Sequence, residues 1–302
     1  MAESDLRTRT FGTLLTAMVT PFTADGEVDY DAAGALAQKL VDDGCDGLVV
    51  TGTTGETSTL TDEENLGTFK AVLEAVGGRA KVIAGTGTND TRHSVSLSRR
   101  AAELGVDGLL LVTPYYNKPS QAGVQAHFET VASATDLPVM LYDIPGRSAI
   151  PIATETMLRL AEHPNVLGLK DAKADFGAVT QVLAKTDLAV YSGDDGLTLP
   201  WMAAGALGVV SVTAHVATRQ FRELVDAALA GDFERARRVH FELDPVIRGV
   251  MTRVQGAVAS KQILKWQGVL PNSVVRLPLV EPGEAELDLI RADLAEAGMD
   301  FA

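Results

Sequence analysis

The segment NVLGLKDAKADF, residues 165–176, runs from an apolar stretch, Val166 to Leu169, straight into Lys170 and Asp171. An ammonium is the group least suited to the end of a buried strand. Desolvation lowers the pKa of such an amine and frees its lone pair. The neutral amine can add to a ketone and lose water to form a Schiff base, whose protonated imine acidifies the neighbouring carbon. Away from a pocket, the same residue would be a surface lysine paired with Asp171. Two phenols, Tyr142 and Tyr116, close other apolar runs, and phenol hydroxyls can pass protons to one another and to a threonine hydroxyl; as rim aromatics they would instead pack at an interface. Arg147 follows Tyr142 by five residues, after Pro145-Gly146. Its guanidinium suits bidentate capture of a carboxylate, or else solvates a loop. GTTGE, residues 52–56, offers hydroxyls and backbone N–H groups ahead of a helix, a cradle for a carboxylate.

Other motifs exclude rival chemistries. GTGTND, residues 85–90, lacks the third glycine of a dinucleotide fingerprint. No phosphate-binding loop occurs. His93, His127, His163, His215 and His240 are scattered without ligand spacing. Neither a metal nor an organic cofactor is expected.

The elements that must position these groups recur about every thirty residues. Eight short apolar runs are read as buried parallel strands: 13–22, 47–52, 81–87, 108–114, 138–145, 166–172, 189–195 and 208–214. Helical segments lie between them. Residues 29–44 begin on a capping Asp29, residues 61–78 carry a Thr61/Glu64 capping box and end in Gly77-Gly78, and residues 90–105 repeat the pattern. This predicts a (β/α)8 TIM barrel over residues 1–230, with an open doubly wound sheet as the rival. Helical segments near 217–230, 232–249, 254–267 and 283–298, with no strand between them, carry the chain past the barrel, so residues 231–302 are expected to form a C-terminal helical extension. In such barrels chemistry gathers at the C-terminal ends of the strands, where Lys170, Tyr142, Tyr116, Arg147 and GTTGE all fall.

The chain has 302 residues, 46% of them hydrophobic and 22% charged. Its 26 basic and 40 acidic side chains leave a net charge of −14, which argues against nucleic acid or an anionic membrane as partner. A single cysteine, Cys45, allows no internal disulfide, reads as a small buried residue and fits a reducing cytoplasm. The first ten residues, MAESDLRTRT, contain no apolar signal core, so no export is expected. The apolar stretch LTLPWMAAGALGVVSVTAHV is broken by Pro200, Gly205 and Gly208 and reads as a short helix and a strand, not a membrane span.

In this order GTTGE, VTPYYNKP, YDIPGR, GLKDA and SGDD resemble the dihydrodipicolinate synthases (4-hydroxy-tetrahydrodipicolinate synthases), class I pyruvate-dependent lyases, across about residues 10–230 and more loosely beyond. The resemblance implies that Lys170 forms the Schiff base with pyruvate. It implies a proton relay of Thr54, Tyr142 and Tyr116, with Tyr116 supplied by a neighbouring subunit. Thr53 and Thr54 would hold the pyruvate carboxylate, Arg147 that of L-aspartate 4-semialdehyde, and Gly193 and Val210 would line the site near the lysine. A homotetramer, a dimer of tight dimers, and a place in diaminopimelate and lysine biosynthesis are implied as well. Sialic acid lyases and sugar-acid enzymes of the same superfamily are the alternative, and a non-catalytic barrel a remote one. In lysine-inhibited relatives the effector site matches Thr57, Ser58, Asp62, Asn65, Asn89, His93 and Tyr115. His93 stands where those relatives carry a glutamate, so weak or absent inhibition by L-lysine is expected, with Asp62 read as facing solvent near a helix's positive end.

Overall fold

The computed structural model describes residues 10–300, so the first nine residues of the stretch read for an export signal lie outside it. Eight parallel strands, β1 (Leu14–Ala17), β2 (Gly47–Val50), β3 (Lys81–Gly85), β4 (Gly108–Val112), β5 (Val139–Asp143), β6 (Val166–Asp171), β7 (Ala189–Ser192) and β8 (Gly208–Ser211), hydrogen-bond in sequence order. β8 returns to β1 and closes the barrel. Every residue of β2, β5, β7 and β8 is buried, as strands with helices on one face and barrel interior on the other must be. The expected barrel is the observed one.

Differences lie at element ends. The run 13–22 keeps its ladder only to Ala17. Met18 still donates to the Val49 carbonyl at 2.9 Å, but Pro21 has no N–H to give, and Phe22 turns back to bridge Val28. The helix expected from 217 starts earlier, at Ala214, and leaves helical geometry at Ala217 (φ −130°, ψ 41°). His215, fully buried in that segment, accepts from the Val19 N–H at 3.0 Å through Nε2, so Nδ1 carries the proton and donates to Val212 O at 2.7 Å. The ring thereby ties the ends of β1 and β8 across the closure. Local signals hold where read. Asp29 accepts from the Ala32 N–H, both halves of the Thr61/Glu64 capping box form, and Gly77 ends that helix in the left-handed conformation. Cys45 is buried, its thiol pushed up to about 12 by desolvation.

The stretch 197–216 is a short helix, Thr198–Ala203, followed by β8. Among the described residues no helix is long and apolar enough to cross a membrane. Past the barrel come helices Phe233–Met251, Gly256–Trp266 and Glu284–Glu296. The middle one is buried continuously from Gly256 to Leu264, packed against Ala214–Leu229 and Phe233–Met251.

Candidate active site

β6 delivers Lys170 to the barrel mouth, aligned with Tyr142 on β5 and Tyr191 on β7. The lysine is 4% exposed. Burial draws its amine down to about 8; the carboxylate of Asp195 opposes that shift and the Arg147 guanidinium adds to it. Nζ lies 4.2 Å from the centre of the Tyr142 ring. The lysine stem has room because residue 193 is glycine: a Cβ there would come within 3.0 Å of both Lys170 Cγ and Ala172 Cβ. Val210 is buried in β8.

Tyr142 is buried too. Desolvation holds its phenol up at about 12, against the pull of Arg147 and of a hydrogen bond with Thr53. At neutral pH it is therefore a protonated hydroxyl, able to donate. A cavity of about 320 Å³ opens above, walled by Thr53, Tyr115, Tyr142, Arg147 and the glycines at 52, 85 and 87. Arg147 sits exposed on the single helical turn Pro145–Ser148 that follows β5. Tyr142 thus lies against the lysine and also forms part of the cavity wall, so its hydroxyl can serve proton transfer between a ketone held there and the amine.

One expectation changes. The relay was read with Thr54, but the threonine hydrogen-bonded to Tyr142 is Thr53; Thr54 is buried and off the cavity wall. Tyr116 does not enter its own chain's cavity. It is 89% exposed with φ at +74°, and its neighbour Tyr115 forms the wall instead.

Asp195 carried no role in the sequence reading, although it is the last residue of SGDD. It is buried, its carboxyl pushed up by desolvation, and Oδ2 accepts from the N–H groups of Val212 and Thr213 and from the Thr213 hydroxyl at 3.0–3.1 Å. It fixes the chain leaving β8 and sets the field at Lys170.

The mouth of the closed parallel barrel thus holds a desolvated amine with a phenol against it and a guanidinium on the cavity wall. Residues 10–297 match the Dihydrodipicolinate synthetase family, and the chain belongs to that family. A 4-hydroxy-tetrahydrodipicolinate synthase of Kineococcus radiotolerans is 56% identical over 291 residues, 96% of this chain and 94% of that one. The dihydrodipicolinate synthase of Cyanidioschyzon merolae, solved with lysine bound, superposes with a TM-score of 0.93 at 39% identity, covering 96% of this chain and 99% of that one. The chloride-inhibited enzyme of Acinetobacter baumannii, solved with pyruvate, gives 0.91 at 36% identity over 95% and 99%.

Proposed function

We propose that this chain condenses pyruvate with L-aspartate 4-semialdehyde through a Schiff base on Lys170, the step that commits carbon to diaminopimelate and lysine. The observation that carries the reading is the Lys170 amine, buried and drawn down to about 8 beside the Tyr142 phenol. The neutral amine adds to C2 of pyruvate, and loss of water leaves the iminium. A proton leaves C3, the resulting enamine attacks the aldehyde carbon, and the new alkoxide takes up a proton. The amino group of the second substrate then displaces Lys170 from C2 and closes the ring, so one water is released overall. Thr53, Tyr142 and Tyr116 carry the protons, Thr53 and Thr54 with their backbone hold the pyruvate carboxylate, and Gly193 and Val210 shape the wall near the lysine. No cofactor enters this balance. An exposed tyrosine at positive φ supports the assembly of the family, in which Tyr116 completes a neighbour's site within a homotetramer. A cytoplasmic setting and the division into a barrel at 1–230 and an extension at 231–302 belong to the same proposal.

The test is a coupled assay with both substrates against a panel of sugar acids. Turnover restricted to the semialdehyde supports the reading; faster turnover of a sugar acid removes it. Arg147 separates the two substrate classes, because its guanidinium reaches the cavity from the turn after β5. Arg147→Ala is expected to raise KM for the semialdehyde about tenfold or more, the loss of one charge-assisted pair, and KM for pyruvate far less. Equal effects on both would leave a polyol substrate as good an account.

Feedback by L-lysine is expected to be weak or absent. Asp62 does not face free solvent. Its carboxylate accepts from His93 Nε2 at 2.8 Å and lies 3.4 Å from Arg100, so it is already engaged where an effector ammonium would need it. Thr57 is similarly committed, to Asn65 at 3.1 Å. Titration of L-lysine against initial rate at subsaturating pyruvate checks this, and strong inhibition below millimolar effector would overturn it.

A further inference from the structure

The loop that presents Thr53 is held by a buried ion pair with the C-terminal extension. Glu56 and Lys261 each have side chains only 1% exposed, and Lys261 Nζ donates to Glu56 Oε1 at 2.5 Å. Lys261 also donates to the Val274 carbonyl at 2.9 Å and sits 3.9 Å over the Phe22 ring. The other Glu56 oxygen, Oε2, accepts from the Arg276 backbone N–H at 3.0 Å. The Arg276 side chain holds the end of the same loop and its flanks, donating to the Thr59 carbonyl, to both oxygens of Glu64 at the start of the following helix and to the Gly26 carbonyl between β1 and the next helix.

Stability alone is a poor account of this arrangement. A buried ion pair roughly breaks even against apolar residues of the same volume, and its best-attested use is to fix one geometry. This loop is one that needs fixing. Thr51 (φ 51°) and Glu56 (φ 56°) are both left-handed without being glycine, a conformation that is strained for L side chains and persists only where surroundings impose it. Gly55 leaves no slack, since a Cβ there would fall 2.7 Å from Thr51 Cα. The Glu56 N–H donates to the Thr53 carbonyl at 3.2 Å, and the Thr53 side chain bonds Tyr142.

We propose that Glu56, Lys261 and Arg276 are positioning residues for the reaction: the extension clamps the loop after β2 so that Thr53 meets Tyr142 and the pyruvate cradle keeps its shape. The inference rests on the functional reading above. None of the three residues lines the cavity. The clamp reaches the pyruvate side of the site and leaves Arg147, on the β5 side, untouched.

The experiment measures kcat and both KM values for Glu56→Gln, Lys261→Met and their double variant, normalised to sites that pyruvate and borohydride trap at Lys170. Because a displacement of about 1 Å costs about a hundredfold in rate, Glu56→Gln is expected to lower kcat per trapped site about tenfold to a hundredfold. It should also raise KM for pyruvate about tenfold and leave KM for the semialdehyde within about twofold. The double variant is expected to lose no more than the worse single one, since the pair acts as a unit. A purely structural pair would reduce the number of trapped sites and change neither KM; that outcome overturns the inference. Failure of the wild-type chain to trap at Lys170 would instead overturn the functional reading beneath it. If neither variant of the buried pair folds, Arg276→Lys decides. It keeps the charge on a more exposed side chain but loses the two-pronged grip on Glu64. It is expected to raise KM for pyruvate about threefold or more with that for the semialdehyde unchanged, and wild-type values would overturn the clamp.

Discussion

Lys170→Ala is expected to lower turnover on the order of 10⁴-fold or more, because no other group in the site can take the amine's covalent role. Incubation of the unaltered chain with pyruvate and borohydride is expected to leave one reduced three-carbon adduct per chain, mapped to Lys170. Two other lysines on loops that follow strands are poorer nucleophiles by placement: Lys118 is exposed on the loop after β4, and Lys173 lies 4.0 Å from the Asp175 carboxylate. An adduct on either, or none, would remove Lys170 from its role. The rate of trapping at subsaturating pyruvate should climb as pH rises toward and through about 8, since burial draws the amine's pKa to that value and only the neutral form attacks. A rate still climbing steeply toward pH 10 would mean an amine in ordinary solvent. The substitution removes packing as well as chemistry, because the lysine stem lies against Gly193. Lys170→Met, which retains the stem, should match the lost turnover with a melting temperature nearer that of the unaltered chain.

The barrel was legible because its strands are covered on both faces. Such strands read as uninterrupted Val, Ile and Leu runs, and their spacing by one helix each leaves few topologies. Ends were less legible, as Pro21 shows: a run can stay apolar after the ladder has lost its donor. Within the site, Lys170 and Tyr142 stood out because a strand end fixes where its side chain goes, and Arg147 because it follows the Pro145-Gly146 turn directly after β5. Thr53 and Thr54 did not separate. They are adjacent in a tight loop flanked by left-handed Thr51 and Glu56, and alternation rules do not apply there. The Glu56–Lys261 pair was beyond reading for another reason. Its members are 205 residues apart, and each alone looks like an ordinary charge on a helix or loop. Asp62 was misplaced because its partner His93 comes from the neighbouring helix, Thr91–Glu103, 31 residues on.

Tyr116→Phe is expected to lower kcat about 10²- to 10⁴-fold, the range for loss of one proton-transfer group. It should do so with little change in stability, because a ring 89% exposed in its own chain packs on almost nothing there. Its backbone already stands at φ +74°, and a left-handed aromatic is a strained choice for a residue that would merely cover a loop. If the ring instead reaches a neighbour's cavity, its hydroxyl and Lys170 of the same chain serve different sites. Subunits carrying Tyr116→Phe, mixed with subunits carrying Lys170→Ala, then rebuild one complete site in each mixed dimer: lysine from the first chain, tyrosine from the second. Random pairing makes half the dimers mixed and half of their sites complete, so about one quarter of the unaltered activity should return in a twofold assembly. Neither parent alone can supply that. Hetero-oligomers verified by native mass spectrometry that recover nothing would place the whole relay within one chain, and Tyr115, already on the cavity wall, would become the second phenol to test.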